Sequence, residues 1–144
     1  MKLPEAIYQG YLRTPVVPPR RLFLYKTLVQ AITTTTVNLF EVPQGYDFIL
    51  QSLVIRAVGG GAQTVTRFKM TLTSMEDLGE TFPYETHHKI VSGLVEDVYE
   101  WQGELYVPSL TRVKTSVDFS AGAIANTNYT YATGFLVPQL ELMK

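Results

Sequence analysis

The sequence predicts an all-β fold, a single antiparallel β-sandwich or barrel, on three observations. Roughly six to eight runs of β-branched and aromatic residues follow one another at short spacing, Gly and Pro punctuate them, and no long stretch carries a helical period. No 20 to 50 residue repeat is visible, which argues against a propeller or solenoid.

The stretch VNLFEVPQGYDFILQSLVIRAVGGGAQTVTRFKMTLTS, from Val37 to Ser74, displays the pattern best. Val37 to Val42 ends at Pro43-Gln44-Gly45, where Pro presets φ and Gly admits a positive one. Phe48 to Val58 ends at Gly59-Gly60-Gly61, predicted as a flexible hairpin tip. The third run sets Phe68, Met70 and Leu72 against Arg67, Lys69, Thr71 and Thr73, one face for a core and one for water.

Ahead of this stretch, Met1 to Arg21 contains Pro4, Pro15, Pro18 and Pro19 and has neither strand nor helix periodicity. Proline removes backbone donors and extends its predecessor, so residues 1–21 are predicted as an extended N-terminal arm and 22–144 as the sandwich domain. Tyr8, Tyr11 and Leu12 give the arm apolar groups that would gain from a surface, and Arg13, Arg20 and Arg21 can pair with carboxylates. Leu22 to Ile32 admits a short amphipathic helix, but the four threonines that follow, 33–36, favour strand.

Beyond Ser74 the pattern loosens. Met75 to Pro83 reads as a surface loop bearing Glu76, Asp77 and Glu80, with weak strands at Tyr84 to Val91 and Leu94 to Trp101. From Glu76 to Glu104 there are eight acids against Lys89 alone, whereas the first 75 residues are mainly basic. Such segregation suits complementary contacts between subunits, or else mixes in space within one fold. Arg112 to Phe119 alternates cleanly, with Val113, Thr115, Val117 and Phe119 on one side. Asn128 to Val137 sets Tyr129, Tyr131, Thr133 and Phe135 against Thr130, Ala132, Gly134 and Leu136. The expected core is Phe48 or Ile49, Leu53, Ile55, Phe68, Met70, Leu72, Val113, Val117, Phe119, Tyr131 and Phe135.

The composition narrows the function classes. Charged residues are 17% and the net charge is -1, so no excess of cations draws the chain to nucleic acid or an anionic membrane. With no cysteine there is no disulfide framework, thiolate site or cysteine nucleophile. MKLPEAIYQGYLRTP lacks the apolar segment of a signal peptide, so no secretion by that route is expected.

No set of residues spells out a reaction. His87 and His88 are adjacent and would point to opposite faces of a strand, while Glu85 and His87 share a face but make only half a zinc site. Ser92 has no G-x-S-x-G context, and Gly59-Gly60-Gly61 leads into a strand without the Gly-Lys-Ser/Thr of a phosphate loop. Glu76, Asp77 and Glu80 lack calcium-loop spacing. The expectation is therefore no catalytic residue, metal or cofactor. Tyr99 and Trp101 would either stack on a sugar or complete the core.

The order of parts, a Pro-rich arm, then FEVPQGYDFILQSLVI, then a closing hairpin ending YATGFLVP, resembles the jelly-roll virion proteins of tailed bacteriophages, among them capsid cement and decoration proteins and related head or neck components. The resemblance implies a jelly-roll-like sandwich and a non-enzymatic role on the virion, assembled in the host cytoplasm. Its partners would be the major capsid protein or other virion subunits, with the chain a homo-oligomer, trimer or dimer. Tyr8, Tyr11, Leu12, Arg13, Arg20 and Arg21 of the arm, with Glu76, Asp77 and Glu80 of the acidic loop, are the expected partner-binding residues. The alternative is a carbohydrate- or receptor-binding sandwich of a fibre or tail.

Overall fold

The computed structural model describes residues 19–75 and 84–139. They form eight strands: β1 Arg20–Gln30, β2 Thr34–Glu41, β3 Tyr46–Val58, β4 Val65–Ser74, β5 Tyr84–Ile90, β6 Glu96–Val107, β7 Thr111–Phe119 and β8 Asn126–Pro138. β1 starts at Arg20, so Arg20 and Arg21, read from the sequence as the end of the arm, are strand residues.

The strands make two four-stranded antiparallel sheets, ordered β1-β8-β3-β6 and β2-β7-β4-β5. Every connection crosses from one sheet to the other except β4 to β5. First and last strands lie side by side, and the chain winds inward from them; this is the eight-stranded jelly roll. The turns at 43–45 and 59–61 therefore join strands of opposite sheets, and neither they nor the 120–125 connection before β8 closes a hairpin. Gly60 is no loose tip either: a Cβ there would stand 2.3 Å from the Ala125 carbonyl oxygen, so the loop after β3 is pressed against the one before β8.

Alternation works as read in β4 and β7, where Phe68, Met70, Val113, Val117 and Phe119 are buried. β3 needs one irregularity. Phe48 and Leu50 face in, and so do Leu53 and Ile55, a spacing that strict alternation forbids. A bulge at Gln51 resets the phase, visible as the register step between Leu50 and Ser52. Opposite it, β6 bulges at Gly103 and Glu104, which makes Leu105 to Val107 the end of one long strand and not a separate run.

The last strand corrects the sequence reading. Tyr131 is 42% exposed and Phe135 is half-buried on the outside; the inward residues are Asn126, Asn128, Thr130, Ala132, Gly134 and Leu136. The reason is space. The Phe48 ring fills the interior over Gly134, where a Cβ would meet its Cζ at 2.5 Å, so no side chain fits at that position. The inward polar groups are satisfied within the core: the Thr115 and Thr130 hydroxyls bond at 2.7 Å, and Thr130 donates to Asn128 at 2.8 Å.

At one end Asn126, fully buried, ties three loops together. Its side-chain oxygen accepts from the Gly60 amide at 3.0 Å and from Gln63 Nε2 at 2.7 Å. Its amide nitrogen donates to the carbonyls of Ile32 and Ala121, both at 2.9 Å.

Candidate functional site

Because β8 turns its aromatic residues outward, the outer face of the β1-β8-β3-β6 sheet becomes the notable surface of the molecule. Register sets its side chains in rows across the four strands. Arg21, Phe135, Ile49 and Tyr106 form one row, Phe23, Thr133, Ser52 and Gln102 the next. Tyr25, Tyr131, Val54 and Glu100 form the third, and Thr27, Tyr129, Arg56 and Val98 the fourth.

The rows are knit by ring contacts. Tyr25 and Tyr131 stack with centroids 4.8 Å apart, Arg21 lies 5.5 Å from the centroids of both Phe23 and Phe135, and Arg56 lies 4.9 Å from that of Tyr129. Ser52 and Thr133 share a hydroxyl bond of 2.5 Å. Phe23 is 74% exposed and Tyr25 55%, a cost in water that a monomeric surface rarely carries as a contiguous patch. Beside the tyrosine pair, the short side chains of Ser52 and Val54 leave a trough of about 530 Å³ that Glu100, Trp101 and Gln102 also line.

The charges of the face divide by strand. On this face β1 turns out Arg21 and no acid, and β6 turns out Glu96 and Glu100 and no base. Arg20, Lys26 and Asp97 alternate to the other side, Lys26 bonding the Asn38 carbonyl of the opposite sheet at 3.2 Å. Arg56 of β3 bonds Glu96 at 2.8 Å, which holds its guanidinium above its ordinary pKa. Together with the Lys69–Glu85 pair at 3.7 Å, this shows the basic and acidic halves of the sequence meeting within one fold.

Of the expected partner-binding residues, Arg20 and Arg21 sit at the start of β1, Arg21 on this face. Tyr8, Tyr11, Leu12, Arg13, Glu76, Asp77 and Glu80 lie outside the described residues. Tyr25, Tyr129 and Tyr131 went unmarked as surface residues because alternation alone does not say which side is in.

The histidines differ from the expected arrangement. A bulge at Thr86, between the pairs Met70 with His87 and Thr71 with Glu85, turns Glu85 away from His87. Glu85 instead lies 3.6 Å from His88. His87 packs edge-on against Trp101 at 4.7 Å and Tyr99 at 6.2 Å, and partial burial holds its imidazole below the ordinary pKa. Tyr99 and Trp101 thus pack against the core from inside the sandwich and do not form an outward sugar platform. Among the described residues no group of three or more His, Asp or Glu is placed to hold a metal ion, and no helix is long and apolar enough to cross a membrane.

Fold and face together define a jelly-roll β-sandwich with one exposed aromatic sheet. No family model and no curated protein matches the sequence. Solved structures share the general shape. A chain of the virus-like particle of extra small virus, from the giant freshwater prawn Macrobrachium rosenbergii, is 12% identical, with 97% of this chain and 94% of that one covered and a TM-score of 0.44. The capsid asymmetric unit of cyanophage Pam1 gives 13%, 94%, 100% and 0.40 in the same order. The C-terminal family 22 carbohydrate binding module of Clostridium thermocellum Xyn10B gives 15%, 84%, 88% and 0.31. At these levels the likenesses decide nothing about function, and the assignment of the fold rests on the strand order.

Proposed function

We propose that the chain is a non-enzymatic structural protein of a virion, a rigid jelly-roll body that decorates or cements a bacteriophage capsid through subunit contacts. The observation that carries this reading is the aromatic and arginine-bearing sheet face, an apolar surface larger than scattered exposed side chains would make. Such a surface is stabilised by being covered, and aromatic residues with arginine are the types that dominate protein contacts. The major capsid protein or another virion subunit is the proposed partner. Residues 1–19 are proposed as an arm that adds Tyr8, Tyr11, Leu12 and Arg13 to the contact, and Glu76, Asp77 and Glu80 as carboxylates facing it.

Purified virions test this directly. Mass spectrometry should find the chain as a stoichiometric component, and labelled recombinant chain should bind capsids lacking it. A chain found only in the unassembled fraction, with no affinity for capsids, would falsify the proposal. Deleting residues 1–19 should leave a folded sandwich that binds capsids more weakly.

A carbohydrate-binding reading keeps one supporting observation, the trough in which the carboxylate of Glu100 and the amide of Gln102 flank Val54 near Tyr131. Specific signal on a glycan array, lost in Tyr131→Ala, would favour it.

A further inference from the structure

We infer that the outer face of the β1-β8-β3-β6 sheet binds the same face of a second copy of this chain, about a twofold axis parallel to the strands and between β8 and β3. The inference deepens the structural reading above by naming a partner for that face. In a twofold contact one patch must complement itself. Here it does so in charge and in shape.

An axis in that position lays β1 of each copy over β6 of the other, and β8 over β3, with rows kept. Arg21, the basic residue that β1 turns to this face, then meets the acidic strand, close to Glu104 beside Tyr106. The same operation sets the aromatic strands β1 and β8 over β6 and β3, where Ser52 and Val54 are the small residues at the centre. Tyr131 lands over the partner's Val54, and Tyr25 over the partner's Glu100, so the stacked ring pair enters the trough of about 530 Å³. Tyr25 can donate its phenolic proton to that carboxylate, and sheets stacked in this way interdigitate at about 10 Å.

The size fits. Four strands at about 4.8 Å and nine residues, Arg21 to Val29, at about 3.4 Å make a face of roughly 600 Å² per copy. The pair would bury about 1,200 Å², the lower bound for a specific interface, so a dimer that weakens as salt rises is expected.

Sedimentation of the full chain at about 50 µM should show a dimer, and Val54→Arg, with an unchanged circular dichroism spectrum and melt, should sediment as a monomer. The chain has no cysteine, so Ser52→Cys reports on the interface alone. A bis-maleimide spanning about 10 Å should join two Ser52→Cys copies and leave Thr71→Cys, on the opposite sheet, unjoined. A full chain that stays monomeric overturns the inference, as does a dimer indifferent to Val54→Arg. If a dimer forms only after residues 1–18 are removed, the chain's own N-terminal segment occupies the face and the inference is wrong. Capsid binding by a full chain that stays monomeric would leave the virion role standing while this inference fails.

Discussion

The rings of Tyr25 and Tyr131 stack across neighbouring strands, centroids 4.8 Å apart and planes 29° from parallel, on the outside of the sandwich. Their cross-strand register pairs them directly, which is where two aromatic side chains on a sheet reinforce each other. Tyr131→Ala should therefore cost under about 1.5 kcal/mol in denaturant melts, with a coupling to Tyr25→Ala of about 0.5–1.5 kcal/mol in a double-mutant cycle. A loss of 3 kcal/mol or more would mean that Tyr131 belongs to the core.

Phe68 provides the contrast. It is 1% exposed, stacks on Tyr99 at 5.9 Å, and lies in the middle of the core cluster. Phe68→Ala should cost about 3–5 kcal/mol by the same measurement.

Gly134 has no room for a side chain. A Cβ there would stand 2.3 Å from the Ile49 carbonyl oxygen, a backbone atom held in the sheet, as well as against the Phe48 ring. Gly134→Ala should lose about 1–3 kcal/mol although alanine suits strands no worse than glycine. An unchanged melting midpoint would contradict the packing of β8 on β3.

Asn126 makes four hydrogen bonds from a fully buried position. Asn126→Ala strands two carbonyls and two N–H donors at the junction of three loops, and should destabilise the fold by about 3 kcal/mol or more. Hydrogen exchange of the Gly60 amide should accelerate in that variant if the bond is made in solution.

His87 gives stability a pH dependence. Burial against Trp101 and Tyr99 lowers its folded-state pKa, so in the window between that value and the ordinary one of about 6.5 the unfolded chain binds the proton and the folded chain does not. Stability is unaffected above the window, falls as pH drops through it, and levels off below. His87→Phe should remove this slope from denaturant midpoints taken between about pH 7 and pH 5. A slope that survives the substitution would assign it to other groups.

The sequence by itself determined the fold class, most strand positions and the inward set of β4 and β7, because in those strands one face is apolar and the other polar and a period of two then leaves no choice. Only the tertiary structure decided β8. Both of its faces are uncharged, and Tyr129, Tyr131 and Phe135 are the larger and more apolar set, yet at Gly134 the interior is already filled by the Phe48 ring and the other inward positions hold hydrogen-bonded Asn126, Asn128 and Thr130. The strand order was likewise out of reach, since β8 pairs with β1 and β3 through contacts between residues about a hundred positions apart in one case and about eighty in the other. Local pattern encodes which residues extend and alternate; which strand lies beside which, and which face turns inward, depends on volumes and hydrogen-bond partners that exist only once the sheets have packed. The aromatic residues of β8 read in the sequence as core, and the Phe48 ring against Gly134 together with the inward hydrogen bonds of Asn126, Asn128 and Thr130 keeps them outward.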